Sequence, residues 1–256
     1  MSEELLAKLR ARQASPAQPP GELGSLPRCE SAALFWSQRA ASELAAVPAF
    51  SQTALALVRE SLELDAVAAV AGIVADEVRH TELARALAEQ FGGIEVREGE
   101  GWSDAQLLAR PRGEDLSYWL VTNGCVNETL SLALLQARAR KTQHPAVLEV
   151  LRTTARDEAV HARFCWYLAA RLLPRQTQAA RDMLGIQVES LLGLLRRSVG
   201  TRGMSAVERA QARRVRSETA GLGLGALPPD EADALVEATI TDSILPRLEK
   251  LGVTPC

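Results

Sequence analysis

The feature that most restricts this chain is a repeated pattern: Asp76-Glu77-Val78-Arg79-His80 returns as Asp157-Glu158-Ala159-Val160-His161. The two copies use two of the three histidines in 256 residues. In an α-helix, residues three apart point about 60° from one another and lie roughly 4.5 Å apart along the axis. Glu77 with His80, and Glu158 with His161, therefore each present a carboxylate and an imidazole from one helix face.

Carboxylate oxygen and imidazole nitrogen suit iron or manganese. Two Glu-x-x-His helices complete a di-metal carboxylate site in a four-helix bundle when each of two further helices adds one glutamate. Glu43 lies 34 residues before Glu77, and Glu128 lies 30 residues before Glu158. Each half thus reads as a helix with one glutamate, a turn, and a helix with Glu-x-x-His. A single copy of the motif would carry little weight among 32 acidic residues. Two copies, each with a glutamate at a similar distance inside an apolar helix, favour metal binding over a structural core of ion pairs.

A chain of this length can bury one large core or two small ones. Ala and Leu dominate while β-branched and aromatic residues are scarce, which favours an all-α fold. The formal net charge of −3 offers no footprint for nucleic acid or an anionic membrane. The start, Met1 to Arg10, carries Glu3 and Glu4 and does not read as a signal peptide, and no uninterrupted apolar run reaches membrane-spanning length. Cys29, Cys125, Cys165 and Cys256 show no Cys-x-x-Cys spacing. A secreted disulfide framework and a rubredoxin-type iron module are therefore not expected, and a cytoplasmic location with reduced thiols is.

Residues 1–28, with Pro16, Pro19, Pro20 and Gly21, read as an arm or linker. Residues 29–174 carry four helices: about Glu30 to Arg59, Asp65 to Phe91, Glu114 to Lys141 and Pro145 to Leu173. Leu34, Phe35, Leu44, Val47, Phe50, Leu55 and Val58 are assigned to the apolar face of the first, and Val67, Val70, Ile73, Val74, Val78 and Leu83 to that of the second. Pro48 removes a hydrogen bond in the first helix and typically kinks it. The stretch 94–113 is long enough to run the length of a bundle at roughly 3.3 Å per residue, making a single long crossover. Residues 175–256 carry three more helical stretches that pack on the bundle: about Gln176 to Ser198, Ser205 to Ala220 and Pro229 to Leu251. Leu184, Val188, Leu191 and Leu195 form the stripe of the first of these. His144 reads as a loop residue, Cys125 and Cys165 as core thiols, Tyr167 as packing and Glu189 as a solvent-facing side chain. The arginines 209, 213, 214 and 216, bracketed by Glu208 and Glu218, read as a solvated face.

From about Trp36 to Tyr167 the sequence resembles the ferritin-like di-iron carboxylate superfamily. Its Asp-Glu-x-Arg-His form is similar to the motif of bacterial multicomponent monooxygenase hydroxylases and related oxidases, and stand-alone bacterial ferritin-like proteins are a further likeness. The resemblance implies a ferritin-like four-helix bundle with one long crossover and additional C-terminal helices. It makes Glu43, Glu77, His80, Glu128, Glu158 and His161 the ligands of two iron ions, with iron–manganese or dimanganese also allowed. Asp76 and Asp157 match carboxylates that orient the ligand histidines. Val160 stands where the motif often has Arg.

The activity so implied is that of a non-haem di-iron oxidoreductase. It would activate dioxygen to hydroxylate, desaturate or N-oxygenate a small organic substrate, with electrons from an external donor. The alternative is a ferroxidase or rubrerythrin-like peroxidase, handling iron or peroxide. A storage cage usually has a shorter chain, and a full rubrerythrin carries the missing Cys-x-x-Cys module. A tRNA-modifying hydroxylase would want a basic face. Two histidines, four glutamates and extra helices able to roof a pocket favour the small-molecule enzyme. Nucleic-acid and membrane partners are not expected, and a homodimer is allowed.

Overall fold

The computed structural model describes residues 26–60, 64–92, 115–197 and 205–255. Within them the chain is all helical, with no strand. Helix α1 is Glu30–Arg59 and α2 is Leu64–Phe91. Helix α3 covers 115–141 in three continuous pieces: α-helical Asp115–Trp119, π-helical Leu120–Asn127, and α-helical Glu128–Lys141. Helix α4 is Pro145–Leu172, extended by a 3-10 turn, Leu173–Arg175. Then come α5, Gln178–Arg197, and α6, Ala206–Gly221. Helix α7 covers 229–250 and contains a second π segment, Ile240–Ile244. The arm 1–25 and the expected crossover 94–113 lie outside the described residues.

Local chemistry sets several boundaries. Pro145 occupies the first turn of α4 behind an extended His144, where a missing N–H costs nothing. Ser205 and Glu208 close a reciprocal capping box on α6. No side chain caps α1; instead the Cys29 amide donates to the Phe91 carbonyl at 2.7 Å, tying the start of α1 to the end of α2. At the turn after α6, Gly225 has φ +99°, and a Cβ there would stand 2.6 Å from the Trp36 ring. Trp36 Nε1 meanwhile donates to the Leu224 carbonyl at 3.0 Å. Only glycine fits that approach.

Helices α1 and α2 pair along their length, as do α3 and α4, and α1 and α2 also touch the second pair. Two apolar clusters fill the interior. One holds Phe50, Leu57, Val70, Ile73, Leu120, Val121 and Phe164, together with Leu184, Val188 and Leu192 of α5 and Val236, Ile240 and Ile244 of α7. The other holds Phe35, Trp36, Leu83, Leu87, Leu135, Val147 and Leu151, with Val215 of α6. The C-terminal helices thus share the bundle's cores, while Leu191 and Leu195 of the expected α5 stripe are half-buried at its side.

Some surface assignments change. Leu55, Val58 and Val78, expected to pack, are exposed at 43%, 57% and 43%. Val78 follows the buried Glu77 by about 100° around the helix, which turns it outward. Helix α1 is also long and apolar enough to cross a membrane by length and composition alone. Its Phe35, Trp36, Glu43, Phe50 and Leu57 are nonetheless buried within the protein.

Candidate metal centre

Between the two apolar clusters lies a polar layer. On α1 the clusters stop on either side of Glu43, on α2 they leave Asp76, Glu77 and His80, and on α4 they leave Asp157 and Glu158. Glu43, Asp76, Glu77, Glu128, Asp157 and Glu158 are each 6% exposed or less, and His80 and His161 at most 1%. Burying this many charges without compensation would cost several kcal/mol per ion, so the layer demands cations.

The helices bring all six expected ligands together. Glu43, Glu77, His80 and Glu158 present ligand atoms within 4.8 Å of one another, and so do Glu77, Glu128, Glu158 and His161. The two sets share Glu77 and Glu158. To these shared carboxylates each set adds one glutamate and one histidine of its own. The histidine rings lie 5.9 Å apart between centroids.

Asp76 and Asp157 act across helices. His161 Nε2 meets Asp76 Oδ2 at 3.0 Å, and His80 Nε2 meets Asp157 Oδ2 at 3.2 Å. Each motif's aspartate therefore holds the other motif's histidine. With Nε2 so occupied, Nδ1 faces inward. His161 Nδ1 stands 3.2 Å from Glu128, 3.4 Å from Glu77 and 3.5 Å from Glu158. His80 Nδ1 stands 3.7 Å from Glu77 and 4.0 Å from Glu158. A carboxylate on the far ring nitrogen fixes the tautomer and raises ligand basicity.

Three side chains with no role assigned from sequence complete the layer. Arg79 sends Nη2 to Asp76 and to Asp157, at 2.6 Å each, clamping the two orienting carboxylates. Arg39 pairs with Glu43 one turn along α1. Ser131 donates to Glu158 at 3.2 Å. Arg79 sits inside the motif and Arg39 at helical i, i+4 spacing from Glu43, so both were readable as partners. Nothing in the sequence ties Ser131 to a residue 27 positions away.

Glu128 follows the π segment directly, and its amide donates to the Asn123 carbonyl, an i−5 bond. A π turn carries an extra residue and re-aims whatever follows, and such segments cluster at functional sites. The expected regular α3 is thus interrupted where Thr122, Asn123 and Gly124, all weak helix formers, come together. Gly124 lies against Cys165: a Cβ would meet its Sγ at 2.4 Å. The Thr122 and Thr129 hydroxyls donate to carbonyls four residues back, at 2.6 Å each.

Without a metal the layer stores protons instead. Burial opposes a charge on His80, but its hydrogen bond to Asp157 and the neighbouring Glu77 and Glu158 carboxylates outweigh this and carry its pKa up to about 9. His161 is likewise raised against its burial by Asp76, Glu128, Glu158 and Glu77. Burial, reinforced by the Glu158 charge, holds Glu128 well above the usual carboxylate range. Burial acts the same way on Glu158, but hydrogen bonds from Glu128 and His161 win and keep it ionised.

The residues fit bound metal on two observations. Glu77 Oε1, His80 Nδ1 and Glu158 Oε2 are buried with no hydrogen-bond partner, and these are atoms a shared centre would bind. Six carboxylates face the two guanidiniums of Arg39 and Arg79. The carboxylates outnumber the guanidiniums, an excess that bound cations would offset. Of the other candidates, Glu189 lies outside the layer, 3.8 Å from Arg196, and His144 precedes α4, so neither joins it. Cys125 and Cys165 are fully buried, and burial raises both thiols.

No family model, curated protein or solved structure matches the chain. What the fold and site define is an all-helical protein whose buried carboxylate–histidine cluster could hold metal.

Proposed function

We propose that this layer holds two iron ions in a ferritin-like setting, and that the protein is a di-iron oxidoreductase that uses dioxygen and external electrons to oxidise a small organic substrate. The observation that carries the reading is the pair of four-residue ligand sets sharing Glu77 and Glu158. A bound ferrous pair would supply electrons and Lewis acidity for dioxygen reduction.

The chain's own residues do the rest. Glu43 with His80, and Glu128 with His161, would hold the metal together with Glu77 and Glu158, which both sets share. Asp157 and Asp76 sit at Nε2 of His80 and His161, which leaves Nδ1 to the centre and fixes the rings in rotation. Arg79 holds those aspartates in place. The apolar clusters above and below exclude water, which strengthens every charge interaction in the layer.

The test is metal content after anaerobic ferrous loading, followed by oxygen consumption with a donor and a panel of organic compounds. Two irons per chain, and oxygen uptake coupled to oxidation of an organic compound, are expected. Turnover of excess ferrous iron with no organic product would assign a ferroxidase instead. An intact fold that takes up no stoichiometric metal would reduce the layer to a structural ion-pair network.

A further inference from the structure

The oxidase reading leaves the substrate's chemical class open, and a second buried charge group bears on it. Arg138 of α3 is 8% exposed, and its Nε and Nη1 are buried without any hydrogen-bond partner. No carboxylate among the described residues pairs with it. Its guanidinium lies 5.4 Å over the Phe35 ring, and Phe35 precedes Arg39 by one helical turn on α1. The cations that act on it are Arg39 and Arg216, both repulsive. Arg216 is half-buried on α6, whose Val215 packs in the same apolar cluster as Phe35.

A guanidinium cannot shed its charge as a lysine or histidine can. The Phe35 face offsets part of the cost, at the level of a single cation–π contact, but satisfies no N–H. Buried donors of this kind call for an acceptor, and a guanidinium with no carboxylate partner calls for an anionic one. Arg138 also lies on the α3 stripe of Ser131, which touches Glu158, two turns further along and thus about 10 Å down the axis. Leu135, Phe35 and Trp36 make the surroundings apolar.

We infer that Arg138, supported by Arg216, receives the carboxylate of an apolar organic acid whose other end reaches toward the metal layer. The inference rests on the oxidase reading for its claim that this acid is the substrate. Binding of the acid can be tested without metal.

Octanoate, whose reach is of the order of the spacing, is titrated calorimetrically into the metal-free protein, with octanol and inorganic phosphate as controls. One octanoate per chain is expected. Arg138→Met should weaken it by about tenfold or more, and Arg138→Lys by less. Octanol should not distinguish wild type from Arg138→Met. No octanoate binding, binding that Arg138→Met leaves unchanged, or phosphate binding as tightly through the same arginine would each overturn the inference. Should Arg138→Met not fold, Arg216→Met, at a half-buried position, is the second variant. It should weaken octanoate by a factor of about three, and no change would overturn the inference. Octanoate bound through Arg138 but never oxidised by iron-loaded protein would strike the oxidase reading alone. Oxidation of organic compounds with no effect of Arg138→Met would strike the acid site alone.

Discussion

The two helix pairs carry the same ligand pattern and surround it differently. In the pair of α1 and α2, arginines do the supporting: Arg39 holds Glu43, and Arg79 clamps both aspartates. In the pair of α3 and α4 no arginine enters the layer. There Glu158 takes a hydroxyl from Ser131, Glu128 is aimed by a π segment, and Val160 stands where the first motif has Arg79. The cross-helix aspartates make the halves interdependent, because each histidine is held from the opposite pair. A repeated motif therefore does not mean two equivalent sites. One half is electrostatically rigid, and the other leans on backbone geometry.

The largest expected effect comes from removing both shared glutamates, one per half. Glu77→Ala with Glu158→Ala should abolish metal binding while circular dichroism still reports a helical protein; two metals retained per chain would sink the assignment. Next is the clamp. Arg79→Met leaves two buried carboxylates without their cation and should cost the metal-free protein about 3 kcal/mol or more in urea unfolding. An unchanged midpoint would mean that the arginine supports neither half.

Asp157→Asn tests the cross-helix dependence. It lies on α4 yet should act through His80 on α2, lowering metal affinity by about 10–100-fold in competition with a chelator. Affinity equal to wild type would dissolve the link between the halves. Gly124→Ala probes the backbone-dependent half: its Cβ has no room beside Cys165, so a loss of about 1–3 kcal/mol is expected. Adding Cys165→Ala should recover much of that loss; failure to recover would place the constraint in the π backbone itself.

The smallest effect is a pH dependence of the metal-free protein. His80 is raised from its ordinary value to about 9 in the fold. Its protonated form therefore stabilises the fold fully below about pH 6.5, and that contribution fades as pH rises through about 9. Urea midpoints of metal-free protein should fall over this interval, whereas metal-loaded protein, its histidines held neutral, should not show the loss. A midpoint that rises with pH would reverse the assigned charge state.

Much of the centre was legible because ligation chemistry is local. Glu77 with His80, and Glu158 with His161, are one helical turn apart, so any helix containing them presents them together. Glu43 and Glu128 stood out as carboxylates in apolar helices, where an unpaired charge is costly. The helical class followed from composition, and several helix limits from Pro145 and the turn residues.

What the tertiary structure decided are relations between helices. Swapped aspartate partners, the Arg79 clamp across two helices, the reach of Ser131, and Arg138 lodged over Phe35 depend on crossing geometry that no spacing within one helix encodes. The π segment belongs here too, since Gly124 against Cys165 is a packing fact. The sequence by itself determined which residues share a helix face. Burial between neighbours determined which of those faces meet, and so which charges must be neutralised, because the cost of an unpaired charge exists only once water has been excluded.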